Sequence, residues 1–349
     1  MPIWRYAIAT LTPLALLLAG AIWGGWWAGL ALIWLTVLAA GLDHLLSPPP
    51  RGHARHSAAA DPLSVLLALG HLVLLALAAR AFGDVTRSPA EQVTLLLAAG
   101  SFLGQVSHPN AHELIHRAPR ALRRLGGAVY ASMLFGHHVS AHRLVHHTHV
   151  GTPDDPNTPR PGESFWIFLP RAWIGSFRAG LAAERARDAR RRGLNPYLWY
   201  LTGSALALIL AAWIGAAGGV IGLVVLATLA HAQILLSDYI QHYGLSRTRL
   251  PGGKWEPVAA HHSWNAPRGF TSYLMVNAPA HSDHHMHPDT PYDALVIPGN
   301  APILPWSMPV MAVLATMSRR WRRVMDRRAA KAMEQAAPLN QRPPGNPQT

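Results

Sequence analysis

The chain has no cysteine, little charge for its length and only 17 carboxylates, and each shortage closes off a class of protein. Without thiols there is no disulfide, no thiolate zinc site, no cysteine-attached haem and no thiolate-held iron–sulfur cluster, so any redox chemistry must import its electrons. Charged residues fill 13% of the 349 positions and hydrophobic ones 50%. A soluble globule carries about twice that share of charge, which argues against a string of soluble domains. The same composition excludes a disordered or collagen-like chain.

What is abundant is apolar sequence broken by basic, histidine-rich blocks. A bilayer crossing needs about 20 apolar residues, and the hydropathy gives six spans at about residues 6–22, 26–46, 62–82, 90–106, 196–215 and 218–240. Gly24 and Gly25 mark the turn of the first hairpin, and Gly215 to Gly219 the last. With the N-terminus inside, only Arg80 and Arg87 lie near the outer face and all other Lys and Arg residues fall inside, the positive-inside pattern. The expected fold is therefore all-α: a six-helix polytopic membrane protein with both termini cytoplasmic, one domain over residues 1–328 and cytoplasmic segments at 107–195 and 241–328. A polar Pro-, Asn- and Gln-rich tail over 329–349 is expected to be disordered. The net charge of +13 suits anionic lipid or an acidic protein partner, and the hydropathy sets nucleic acid aside. Arginine runs at 117–124, 185–192 and 319–328 form a basic cytoplasmic face.

Histidine is the anomaly. Its 21 copies outnumber the carboxylates, with nine between His108 and His149 and seven between His242 and His287. His112-Glu113-Leu114-Ile115-His116 follows the fourth span directly, and its i,i+4 spacing sets two imidazoles on one helix face. That motif alone also fits a zinc protease, with Glu as general base. In His142-x-x-x-His146-His147 the first pair shares a face, while His147 points about 100° away, towards a different metal or the far side of the same one. His281-Ser282-Asp283-His284-His285 uses i, i+3 and i+4, and His242 stands just past the sixth span. One transition-metal ion rarely takes more than about six ligands, so these nine imply two ions. Imidazole suits several metals, and spacing does not choose among them. Nine ligands overbuild a zinc hydrolase, which needs three and an open position. A pair of redox metals beneath an apolar funnel fits oxidation of an unactivated C–H bond. A membrane metal transporter or scaffold is the non-enzyme alternative, and it predicts ligands within the spans.

A metal-bound imidazole normally donates its other N–H to a carboxylate or carbonyl, and Glu113, Asp238 and Asp283 are placed for that role. Asp154 and Asp155 are read first as turn caps, with orientation of His146 or His147 as a second role. His108, His137, His138, His149, His261 and His287 flank the motifs without completing one. Trp26, Trp27 and Trp34 fit an interfacial belt better than a channel lining.

HELIHR, HRLVHHTHVGTPDDP, YIQHYGL and HSWNAP with APAHSDHHMHP resemble the signature blocks of bacterial alkane 1-monooxygenases, within the membrane di-iron group that includes fatty-acid desaturases and xylene monooxygenase. The resemblance runs from about Leu42 to Arg328. It implies that His112, His116, His142, His146, His147, His242, His281, His284 and His285 hold two iron ions, with His262 beside them. It further implies insertion of one atom of O2 into a terminal or methyl C–H bond of a hydrophobic substrate entering from the bilayer. Electrons would come from a rubredoxin or ferredoxin with its reductase, since this chain carries no flavin or NAD motif. The place is the bacterial inner membrane. Desaturation or hydroxylation of a fatty acyl chain, and xylene-type methyl oxidation, are the alternatives within the group. Two departures, Ala141 and Gln241, stand where alkane hydroxylases usually carry Glu, and both remove negative charge near the irons.

Overall fold

The computed structural model describes residues 2–45, 56–188, 193–267 and 269–336. Among these residues the chain is helical, with two isolated bridges, Arg249 to Trp255 and Asn265 to Ile303, and no extended strand. Four helices are long and apolar enough to cross a membrane: α1 (Ile3–Trp23), α2 (Trp27–Leu45), α3 (Ala60–Gly83) and the long α8 (Pro196–His242). The fourth expected span is α4 (Pro89–Phe102), which is helical but does not join those four. It runs through a π-helical turn, Leu103–Ser107, straight into α5 (His108–His116).

The fifth and sixth expected spans both lie in α8. Its 47 residues would reach about 70 Å if straight, more than twice the hydrocarbon thickness of a bilayer. The helix breaks at Gly215 (φ −130°, ψ 18°) and Ala216 (φ 46°, ψ −143°). A Cβ on Gly219 would lie 2.5 Å from the Ala211 carbonyl oxygen. Residues eight apart in a straight helix are about 12 Å apart, so the chain turns sharply here. Helix α3 packs into the turn, where a Cβ on Gly83 would lie 2.4 Å from the Gly215 oxygen and one on Gly218 2.3 Å from the Phe82 oxygen. Only glycine lets the two backbones come this close.

The first hairpin turns at Gly24 (φ 72°) and Gly25 (φ 69°), as the sequence suggests. Its tip is tied by Arg87, which donates to the carbonyls of Gly20 (2.8 Å) and Ala21 (2.7 Å) at the end of α1. Unpaired carbonyls and the negative end of the helix dipole both favour a cation there. Glu91 accepts from the Gly25 N–H at 2.6 Å and completes a capping box with Ser88 at the start of α4.

The segments between and beyond these helices carry most of the histidines. They comprise α6 (Arg120–Ser132), a π-helical turn at Ala141–His146, α7 (Phe165–Asp188), α9 (His281–Met286), α10 (Met308–Thr316) and α11 (Ser318–Ala336). Residues 329–336, expected to belong to the tail, are instead the end of α11, which buries Trp321, Met325 and Ala329 along one face. Residues 337–349 lie outside the described residues, as do most of the polar connector at 47–61 and the end of the arginine run at 185–192. Of the tryptophans, Trp26 and Trp27 stack at the hairpin tip (4.5 Å), with Trp26 exposed. Trp34 packs edge-on against Phe270 and donates to the Ala9 carbonyl.

Candidate metal centre

The nine histidines from four distant stretches come together in two adjacent groups. One holds His112, His116, His142, His147 and His284, the other His146, His242, His281 and His285, and within each group the ring nitrogens lie within 4.8 Å of one another. Eight are buried, and His147 is partly exposed. His112 and His116 sit one turn apart on α5, every residue of which is buried, and their rings stand edge to face at 5.2 Å.

The division between groups differs from the sequence expectation in one respect. His142 and His146 were expected to share a face, but it is His147 that faces the same way as His142, their Nε2 atoms 2.9 Å apart, while His146 turns to the other group. The cause is the π-helical turn at Ala141–His146. A π turn closes i to i+5, and the His147 N–H does bond to the His142 carbonyl. The wider turn therefore brings residues five apart into register. In α9 the ordinary helical spacing holds: His281 and His285 approach at 3.0 Å, and His284, 100° round the helix, reaches across to His147 at 3.1 Å.

The donor set fits a pair of transition-metal ions. Nε2 atoms approach one another at 2.7 Å (His112 and His142), 2.9 Å, 3.1 Å and 3.0 Å (His242 and His281). Two nitrogens at right angles around a metal roughly 2.1 Å away stand about 3 Å apart, the spacing seen here. Nε2 of His116 and of His146 is buried with no hydrogen-bond partner, which is costly unless a ligand completes it. Burial, reinforced by the neighbouring imidazoles, holds His112, His142, His147, His281, His284 and His285 well below the ordinary histidine range. These rings are neutral at pH 7, the state in which imidazole binds metal. His146 is the exception: burial lowers it, but the charge and hydrogen bond of Asp155 outweigh burial and hold it up.

Of the expected supporting residues, His262 touches a ring directly, through its carbonyl, which accepts from His242 Nδ1 at 3.3 Å. The carboxylates Glu113, Asp238 and Asp283 bond to none of the nine rings. Asp283 accepts from His287 Nδ1 (2.9 Å) and the Val296 N–H, closing the end of α9. Asp238 accepts from Asn157 Nδ2 at 2.7 Å. Glu113 faces Arg117 at 3.7 Å and lines a small cavity with His112, His284 and Tyr292; burial pushes it up to about 8. The carboxylate that holds a ring is Asp155, which accepts from His146 Nδ1 at 2.8 Å. It is also the turn cap expected from the sequence, accepting from the Asn157 N–H and the Thr158 hydroxyl.

Six flanking histidines stay out of both groups. His108 pairs with the Tyr130 hydroxyl at 2.9 Å, and His138 is buried between Tyr130 and Phe135. A third cluster, Glu256, His261 and His262, has ligand spacing but not ligand chemistry. His262 Nδ1 accepts from the Ala259 N–H (3.0 Å), so its Nε2 carries the proton and donates to Glu256 (3.1 Å).

Beside the groups lies a groove of about 440 Å3. Both π-helical turns of the apolar helices border it, through Leu35 to Val37 on α2 and Gly104 and Gln105 after α4, together with Leu236 and Ile240 of α8 and Met308 to Val313 of α10. Single π turns inside helices often mark functional sites. Met275 lines the groove, and Val276 and Ala278 line the small cavity at His112 and His284. The segment 275–278 thus borders both. Its backbone is strained, with Val276 at φ 49° and Asn277 at φ 54°, a region costly for a β-branched residue.

A family model described as fatty acid desaturase matches residues 90–297. Alkane 1-monooxygenase 2 of Pseudomonas aeruginosa is 33% identical over 67% of this chain and 64% of its own length. Alkane 1-monooxygenase of Pseudomonas putida is 30% identical over 73% of the chain and 65% of its own. The xylene/toluene monooxygenase hydroxylase component of Pseudomonas putida is 30% identical over 62% and 59%. The chain thus spans a little under two thirds of the length of these curated relatives.

Proposed function

Because this chain belongs to the fatty acid desaturase family, we propose that it is a membrane-bound, non-haem di-iron monooxygenase that hydroxylates a terminal or methyl C–H bond of a hydrophobic substrate. The observation that carries the reading is the gathering of nine imidazoles into a group of five and a group of four. The names of its relatives support hydroxylation of alkane or aryl-methyl carbon.

In this reading His112, His116, His142, His147 and His284 hold one iron and His146, His242, His281 and His285 the other. When bound, the iron pair would supply O2 activation, which no side chain provides. The residues of the chain do the rest. Burial keeps the other eight rings neutral, and Asp155 keeps a proton of His146 on Nδ1, so that Nε2 faces the second group. The substrate enters the groove from the bilayer. The substrate then passes along the segment Met275 to Ala278, which lines both the groove and the cavity at His112 and His284. Glu113, held protonated at neutral pH by burial, adds no negative charge to that cavity.

We assign six crossings, α4 and both legs of α8 included, with the termini and the histidines on the cytoplasmic side of a bacterial inner membrane. The basic cytoplasmic surface then faces an acidic carrier, a rubredoxin or ferredoxin served by its reductase. The metal transporter reading calls for ligands within the spans, whereas eight of the nine histidines follow the apolar segments and His242 closes α8.

The test is turnover of the purified, iron-loaded protein with carrier and reductase under labelled O2, across alkanes, alkylbenzenes and fatty acids. The expected product is an alcohol carrying one labelled oxygen atom. Product with a new double bond and no label would establish a desaturase instead, and no oxidised product from any substrate would end the reading.

A further inference from the structure

The groove carries polar groups that a pure hydrocarbon would leave unanswered, and from them, resting on the reading that substrate reaches the irons through this groove, we infer the substrate class. We propose that the groove takes a hydrocarbon bearing a hydroxyl group, held at Gln105 away from the carbon to be oxidised.

Gln105 lies on the π-helical turn Leu103–Ser107 and lines the groove. Its Oε1 is buried and receives no hydrogen bond. Gln233, on the same wall, has its amide orientation fixed because Nε2 donates to the carbonyls of Gly100 (2.8 Å) and Leu229 (3.1 Å). No donor among the described residues reaches its oxygen. Gly104 makes room for it, since a Cβ there would lie 2.2 Å from Gln233 Oε1.

Ser237 and Gln241 nearby are satisfied within the protein. Ser237 donates to Gln241 Oε1 at 2.8 Å, and Gln241 Nε2 donates to the Ala278 carbonyl at 3.2 Å. The groove is therefore lined by two carboxamides, that of Gln105 with a buried and unmet oxygen and that of Gln233 with an oxygen that receives no donor, among Leu35, Val37, Leu236 and Ile240. A buried acceptor left unmet costs about as much as a lost hydrogen bond. A hydroxyl supplies the missing donor, and sites built to meet such a group discriminate against the analogue that lacks it. Gln105 precedes His112 by seven residues, roughly 10 Å along a helix. The hydroxyl and the oxidised carbon thus belong to opposite ends of one ligand.

The test is binding of 1-dodecanol and n-dodecane to the iron-free protein in lipid nanodiscs, by competition with labelled 1-dodecanol. Comparing variants within one nanodisc composition cancels the partition of each ligand into lipid. The ratio of alcohol to alkane affinity is expected to fall about tenfold in Gln105→Leu, the worth of one hydrogen bond, and to be better retained in Gln105→Asn. An unchanged ratio in Gln105→Leu, or no saturable binding of 1-dodecanol to the native protein, overturns the proposal. Saturable, Gln105-dependent binding supports it even if the iron-loaded enzyme gives no diol, a result that would fall on the oxygenase reading alone.

Discussion

Asp155 shows how one side chain serves both a loop and a metal ligand. It closes the turn before Asn157 and Thr158, and its other contact holds His146. Asp155→Asn keeps the shape and removes the charge, and is expected to weaken iron retention roughly 10- to 100-fold, read by chelator competition. His146→Ala and His284→Ala should each abolish bound iron and activity, while His149→Ala should leave most of both, read by elemental analysis and turnover. The metal-free protein should also lose stability as the pH falls. Burial depresses the folded-state pKa of the ring cluster, His116 to about 3, so below the ordinary value of about 6.5 the unfolded chain takes up protons that the folded chain refuses. Stability is fully present above that value and is lost as the pH drops towards 3, read as a falling thermal midpoint in detergent. The nine histidines were legible in the sequence because clustering and spacing are local signals. Asp155 was legible first as a turn residue and second as a partner of His146 or His147, because which ring it meets is decided by the fold of the loop. Glu113 and Asp283 misled for a geometric reason: a residue next to a ligand on a helix points about 100° away from it.

At the scale of elements, the π-helical turn at Ala141–His146 decides which group each histidine joins. Inserting an alanine after Leu144 should place His147 six residues after His142, carry its ring off the shared face and lower bound iron, measured per mole of folded protein. Nothing in the composition of AHRLVH announces a π turn, so a sequence reading at 3.6 residues per turn pairs His142 with His146. The helices themselves were readable from their apolar runs, and so was the break near Gly215. The tight seam between α3 and that break was not, because it depends on which glycines meet. Gly222→Leu, where even a Cβ would lie 2.2 Å from Phe82 Cδ2, should destabilise the protein by about 1–3 kcal/mol, read from thermal unfolding in detergent.

For the whole molecule, the absence of cysteine makes orientation directly measurable. In a six-crossing arrangement with the termini inside, Val85→Cys in the exposed loop after α3 should react with an impermeant maleimide on intact cells. Glu334→Cys on α11 should react only after the membrane is opened. Labelling of both from outside would remove an odd number of crossings from the scheme.

His146 and His147 are consecutive in the chain, as are His284 and His285, yet each pair is split between the two groups. A single peptide link therefore bridges the centres twice, like two short tie rods, and sets their spacing covalently. The first ion to arrive must order both rods, which leaves the second set of rings already arranged. Loading should consequently be cooperative, with titrated protein partitioning into empty and doubly filled molecules and few carrying one ion.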